Sequence, residues 1–130
     1  MDELEDDLHC FVCGELNPIG LNLIFKLTEE SAQAVFKCDK KHQGYKDILH
    51  GGFISMILDE ASVKAVSARG SKAVTAQMSV RFKNPLKVGQ TALVEAKIVR
   101  HKGKLFETEA ILQTQEGLII ATGNAKLIVN

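Results

Sequence analysis

His50-Gly51-Gly52 and Asp59, nine residues after the histidine, are the residues of this chain whose types and spacing could do chemistry. Two glycines at the start of a helix let a ligand come close to the backbone. The first amides of a helix have no partner inside it, so they form a ready site for a developing negative charge. A flexible N-terminal turn with no ligand would carry the same three residues, and it is the position of Asp59 further along the same segment that adds specificity. A solvated carboxylate is the usual fate of a helical aspartate. Glu60 fits that fate better, because Lys64 follows four residues on in the favourable order for a surface ion pair. Around Asp59 the positions three and four away are Ser55, Met56, Ser62 and Val63, none of them basic. A carboxylate among apolar groups is costly unless it has a task, which makes Asp59 the functional candidate.

The elements that must position these residues follow from periodicity. From Gly51 or Gly52 to Arg69 the pattern is helical, with Ile54, Ile57, Leu58, Ala61, Ala65 and Ala68 on one face and Gly70 as a C-terminal stop. Opposite them lie Met56, Val63 and Val66, with Asp59 in their midst. Apolar residues on both sides of a helix imply a second buried surface, and another copy of the same chain is the simplest cover, so a homodimer is expected. Before the helix, the turn-rich stretch from Cys10 to Gly20 reads as an ordered arm, placing an arm over residues 1–20 and a single domain over residues 21–130. Leu21 to Leu27 and Ala32 to Cys38 read as a hairpin turning at Thr28 to Ser31, and Asp39 to Leu49 as a polar loop.

After the helix, alternation puts Val74, Ala76, Met78, Val80 and Phe82 on one face of a strand, which leaves Thr75 on the polar face. Ala92, Val94, Ala96 and Ile98 share a face of the next strand. Phe106, Ala110 and Leu112 do so in a third, and Ile119, Ala121, Ala125, Leu127 and Val129 in a fourth. Turns at Lys102-Gly103-Lys104 and Glu116-Gly117 suggest a meander. The sum is an α+β domain in which one curved antiparallel sheet of about six strands wraps one long central helix.

His50-Gly51-Gly52 followed by Leu58-Asp59-Glu60-Ala61 resembles the helix signature of hot-dog thioesterases of the phenylacetate-pathway (PaaI-like) and 4-hydroxybenzoyl-CoA type. Cys10-Phe11-Val12-Cys13-Gly14, Asn17-Pro18 and Gly20-Leu21 resemble the N-terminal arm of one branch of that family. His42-Gln43-Gly44 resembles its loop, and Val74-Thr75 to Phe82 with Pro85 its next strand. The resemblance implies the hot-dog fold, hydrolysis of an acyl-CoA thioester without a cofactor, and a catalytic set of Asp59, Gly51, His50 and Thr75. Asp59 would be general base or nucleophile, the Gly51 amide would polarise the carbonyl, and Thr75 would help place the water. Gly52 and Gln43 are the expected substrate contacts. Some relatives carry Asn or Gln six residues before the histidine, where this chain has Gly44; Gln43 substitutes if the loop shifts by one residue. A dimer of dimers is an open extension of the homodimer, and the acyl group is not specified.

Two other readings compete. A hot-dog dehydratase would use His50 and Asp59 on a hydroxyacyl chain, but the proline-rich approach to the helix associated with dehydratases is missing. An acyl- or CoA-binding module without turnover would have no use for the acid at Asp59. Composition sets the outer limits: 130 residues with zero net charge suit one domain and give no basic footprint for nucleic acid. The apolar runs are too short for a membrane span, and the acidic start, with no apolar signal core, suggests a cytoplasmic protein. Three cysteines argue against a disulfide framework. Cys10, Cys13, Cys38 and His42 are four possible zinc ligands, but the second pair is loosely spaced. The expectation is structural thiols and no metal.

Overall fold

The computed structural model describes residues 3–130. Six strands form one antiparallel sheet: β1 (Lys26–Leu27), β2 (Ser31–Lys37), β3 (Ala73–Phe82), β4 (Thr91–Lys102), β5 (Leu105–Thr114) and β6 (Ile119–Val129). The single helix α1 runs from Gly51 to Ser67, ahead of β3, and a short 3-10 turn covers Lys40–His42. Across the sheet the order is β1-β2-β4-β5-β6-β3. This is the hot-dog fold, with the helix packed along the concave face against β2, β3, β4, β5 and β6.

The order bears out the meander expected at the two turns. Strands β4, β5 and β6 do follow one another, but β3 pairs with β6 at the far edge and β2 takes the place beside β4. The helix runs alongside β3 in the opposite direction: Gly51 at its start lies by the Phe82 ring, Asp59 at its middle meets Thr75, and Val66 near its end clusters with Ala73.

The helix lies close because the sheet beneath it is built of small residues. Ala92, Ala96, Ala110 and Ala121 are buried on the concave face, and Ile54, Ile57, Leu58, Ala61 and Ala65 pack down onto them. Ala68 is only half-buried, as the cap that ends the helix, with Gly70 beyond it at φ +89°. Val66 departs from its expected side. It is fully buried in a second apolar cluster with Ala73, Phe106, Ala125, Leu127 and Val129, because the long ends of β5 and β6 curl around the last helical turn. Only Met56 and Val63 of the second apolar face remain half-exposed.

The first strand is also shorter than its pattern. Leu21, Leu23 and Phe25 do face the core, but the amides of Leu21 and Leu23 donate to the carbonyls of Phe11 and Val12 at 2.8 Å each. The arm is therefore the backbone partner of residues 21–23, and Asn22 at φ +52° breaks the extended run, so only Lys26–Leu27 joins β2. Among the described residues no helix is long and apolar enough to cross a membrane.

Candidate functional site

Asp59 lies midway along α1, half-buried. Its Oδ1 accepts the hydroxyl of Thr75 at 2.5 Å. Strict alternation would have turned Thr75 away. The β3–β6 register slips between Thr75 and Gln77, so Ala76 is an extra residue in β3. A bulge of this kind reverses the facing of the residues before it. Ala73 and Thr75 thus turn toward the helix, while Val74 and Ala76, expected inside, are exposed; Met78 and Val80 beyond the bulge keep their expected side.

The start of the helix is held by His50, the N-cap residue, whose Nδ1 accepts the Gly52 N–H at 2.8 Å. A Cβ on Gly52 would sit 3.1 Å from that Nδ1, so the capping imidazole requires a glycine there. The His50 amide in turn donates to the carbonyl of His42 at 2.9 Å, fixing the turn to the preceding loop. His50 is exposed, with one ring nitrogen used in the cap. Among the described residues, no group accepts the Gly51 N–H. It opens toward a cleft of about 570 Å³ lined by Gly44, Tyr45, Ile48, Leu49, His50 and Gly51. Tyr45 (89% exposed) and Phe82 (58% exposed) leave apolar surface beside it.

Gln43 does not reach this cleft. Its Oε1 accepts the Asp47 N–H at 3.0 Å, closing the tight reversal in which the Gly44 N–H donates to Ile48 O and Asp47 adopts φ +62°. Gly51 and Asp59 are eight residues apart on one helix, about 12 Å along its axis, so one chain does not bring them together. Asp59 and Thr75 meet; Gly51, Gly52 and His50 meet; the two groups stand apart.

The cysteines fall out differently from their spacing. Cys38 is buried, its thiol near Asp39 O at 3.9 Å, with its pKa raised by burial and by the Asp39 charge. His42 is buried between Phe36 and Phe53, each ring centroid 5.3 Å away, and its Nδ1 accepts the Asp39 N–H. Burial lowers the His42 pKa, Lys41 lowers it further, and Asp39 opposes. Neither residue joins Cys10 and Cys13. Those two thiols instead face the carboxylate of Glu60, Cys10 Sγ at 3.7 Å from Oε2 and Cys13 Sγ at 3.5 Å from Oε1. Burial pushes the Cys13 thiol up to about 12, helped by the hydrogen bond with Cys10 and the Glu60 charge, with Lys64 opposing. Glu60, expected to pair with Lys64 at the surface, is half-buried and turned toward the arm. Sequence spacing held no sign of this, because Glu60 lies about fifty residues beyond Cys10.

A central helix wrapped by an antiparallel sheet defines a hot-dog protein, here with an open amide at the helix start and a carboxylate at its middle. The sequence narrows this: the thioesterase superfamily model matches residues 46–121, more than half of the chain, and the chain belongs to that superfamily. It is 27% identical over 90 residues to acyl-coenzyme A thioesterase 13 of Mus musculus, a match covering 67% of this chain and 64% of the relative. The chain thus spans less than two thirds of that relative's length. A hypothetical thioesterase of Streptococcus pneumoniae with coenzyme A is similar in structure, with TM-score 0.80, 19% identity, and coverage of 84% of this chain and 86% of that one. Further structures of that protein carry alanine in place of an aspartate and of a threonine sixteen residues further on. E. coli PaaI, from the phenylacetic acid degradation operon, superposes with TM-score 0.80 at 18% identity, covering 85% and 80% of the two chains.

Proposed function

We propose that this protein hydrolyses an acyl-CoA thioester to the free acid and CoA, at a site shared between two copies of the chain. The observation that carries the reading is the Thr75–Asp59 hydrogen bond. It joins an acid and a hydroxyl sixteen residues apart, the separation of the aspartate and threonine replaced in the streptococcal thioesterase. Superfamily membership and the CoA held by that neighbour supply the substrate class.

In this reading the thioester carbonyl oxygen accepts the free Gly51 N–H at the helix start, where the unpaired amide and the helix dipole stabilise the charge that develops on it. Thr75 holds Oδ1 of Asp59 and so aims Oδ2 at a water. Asp59 removes a proton as the water oxygen bonds to the carbonyl carbon. Collapse of the tetrahedral intermediate breaks the C–S bond, and the CoA thiolate leaves and is reprotonated. With Asp59 as nucleophile, an acyl-aspartyl anhydride would form first and water would cleave it. His50 caps the turn that presents Gly51, so its role is to position the donor.

The test is a panel of aromatic, short-chain and long-chain acyl-CoA esters followed by thiol release. Release from at least one ester is expected. A flat panel from a chain that still binds CoA would overturn the hydrolase reading in favour of a binding module.

A further inference from the structure

We propose that Cys10, Cys13 and Glu60 form a zinc-type metal site that clamps the N-terminal arm to helix α1, one residue from Asp59. The reading is independent of thioester hydrolysis. One ligand atom from each of the three residues lies within 4.8 Å of the other two. Two thiols and a carboxylate form a donor set that suits a borderline-soft divalent ion.

Each sulfur faces its own oxygen of Glu60, Cys10 Sγ at 3.7 Å from Oε2 and Cys13 Sγ at 3.5 Å from Oε1. An ion between the two thiols would therefore meet both carboxylate oxygens, or one of them after a small turn of the Glu60 side chain.

A second observation comes from the backbone. The Val12 and Cys13 amides both point at Cys10 Sγ, at 3.4 and 3.5 Å, and the Gly14 N–H donates to Cys10 O at 2.9 Å. These contacts hold Cys10 Sγ inside the turn, at the place where it faces Glu60. The turn is closed so tightly that a Cβ on Gly14 would lie 2.3 Å from the Cys10 amide nitrogen, so only glycine fits. The segment is thus shaped as a knuckle around Cys10 and Cys13, although the carboxylate comes from the helix and not from a second cysteine pair.

Binding replaces the two thiol protons, which pass to solvent as two S–metal bonds form, and leaves one net negative charge on the ion with its three ligands. Lys64 lines the same groove, with His9, and lies on the side where it offsets that charge. Three protein ligands leave a fourth tetrahedral position facing the groove for water.

The experiment uses the full chain, reduced and kept from air. Titration with Zn2+ against a chromophoric chelator should show about one tight site per chain, and Co2+ should give thiolate-to-metal charge-transfer absorption. Cys10→Ser with Cys13→Ser should abolish both signals, and Glu60→Gln should weaken affinity at least tenfold. Cys38→Ala should keep both signals, and circular dichroism would verify the fold of each variant. Wild-type chain that takes up neither ion would overturn the proposal. So would binding that survives loss of both cysteines, or a Cys10–Cys13 disulfide found by mass spectrometry in protein purified anaerobically.

Discussion

Asp59 and Thr75 illustrate how unevenly single residues could be read. The aspartate stood out because a carboxylate flanked by Ser55, Met56, Ser62 and Val63 has no local ion pair to explain it. The threonine did not stand out on its own pattern, because the extra residue at Ala76 reverses its facing and nothing in the alternation marks where the slip falls. Its proposed role came only through family resemblance. Asp59→Asn keeps the volume and an acceptor for the Thr75 hydroxyl but removes the proposed base or nucleophile. Turnover should fall by about 10²–10⁴-fold with the circular dichroism spectrum unchanged. Thr75→Val removes the donor at equal size and should lower kcat by a smaller factor while KM stays within about twofold. A Thr75→Val chain with full kcat would separate the hydroxyl from the reaction.

At the scale of elements, the helix and the last three strands were legible because their apolar spacing is long and regular. The misreading occurs where backbone partners are distant in sequence, since residues 21–23 bond to the arm, and the β3–β6 pairing, equally distant, had no sign in the sequence. Val66 was assigned to a partner's surface because helical projection cannot see the curl of β5 and β6 around the helix end. Its burial in one chain makes a clear prediction. Val66→Ala should reduce the unfolding free energy by about 1–3 kcal/mol, equally at low and high protein concentration. A loss seen only on dilution would mean that Val66 supports an interface. The loop before the helix predicts a pH effect. His42 has a lowered pKa in the folded chain because it is buried against Phe36 and Phe53. The unfolded chain therefore binds the proton first. The contribution of His42 to stability is complete above about pH 6.5 and is lost as pH falls from there toward its folded pKa. Urea midpoints at pH 7 and pH 5 should differ more for the wild type than for His42→Phe, which keeps an aromatic ring in the cluster and removes the titration.

For the whole molecule, the decisive quantity is the separation along the helix. Gly51 and Asp59 lie about 12 Å apart, whereas a reacting carbonyl needs its amide donor and its base or nucleophile each within about 3 to 3.5 Å. Two helices set side by side and antiparallel would bring Asp59 of one chain toward Gly51 of the other. The half-exposed Met56 and Val63, with Phe82 and Tyr45 near the helix start, offer the apolar surface for that pairing. A shared site implies complementation. In Gly51→Val the first added carbon would only touch the Phe82 ring at 3.4 Å, an ordinary contact, so the variant should fold while its side chain blocks the carbonyl. Asp59→Asn should be inactive on its own for the separate reason of its lost carboxylate. Unfolded and refolded together in equal amounts, the two chains should form heterodimers that each hold one intact composite site and one doubly damaged one. With random pairing, activity should return to about a quarter of the wild-type value. Heterodimers verified by mass that remain inactive would mean that each chain must complete its own site, which a rigid helix of this length does not permit.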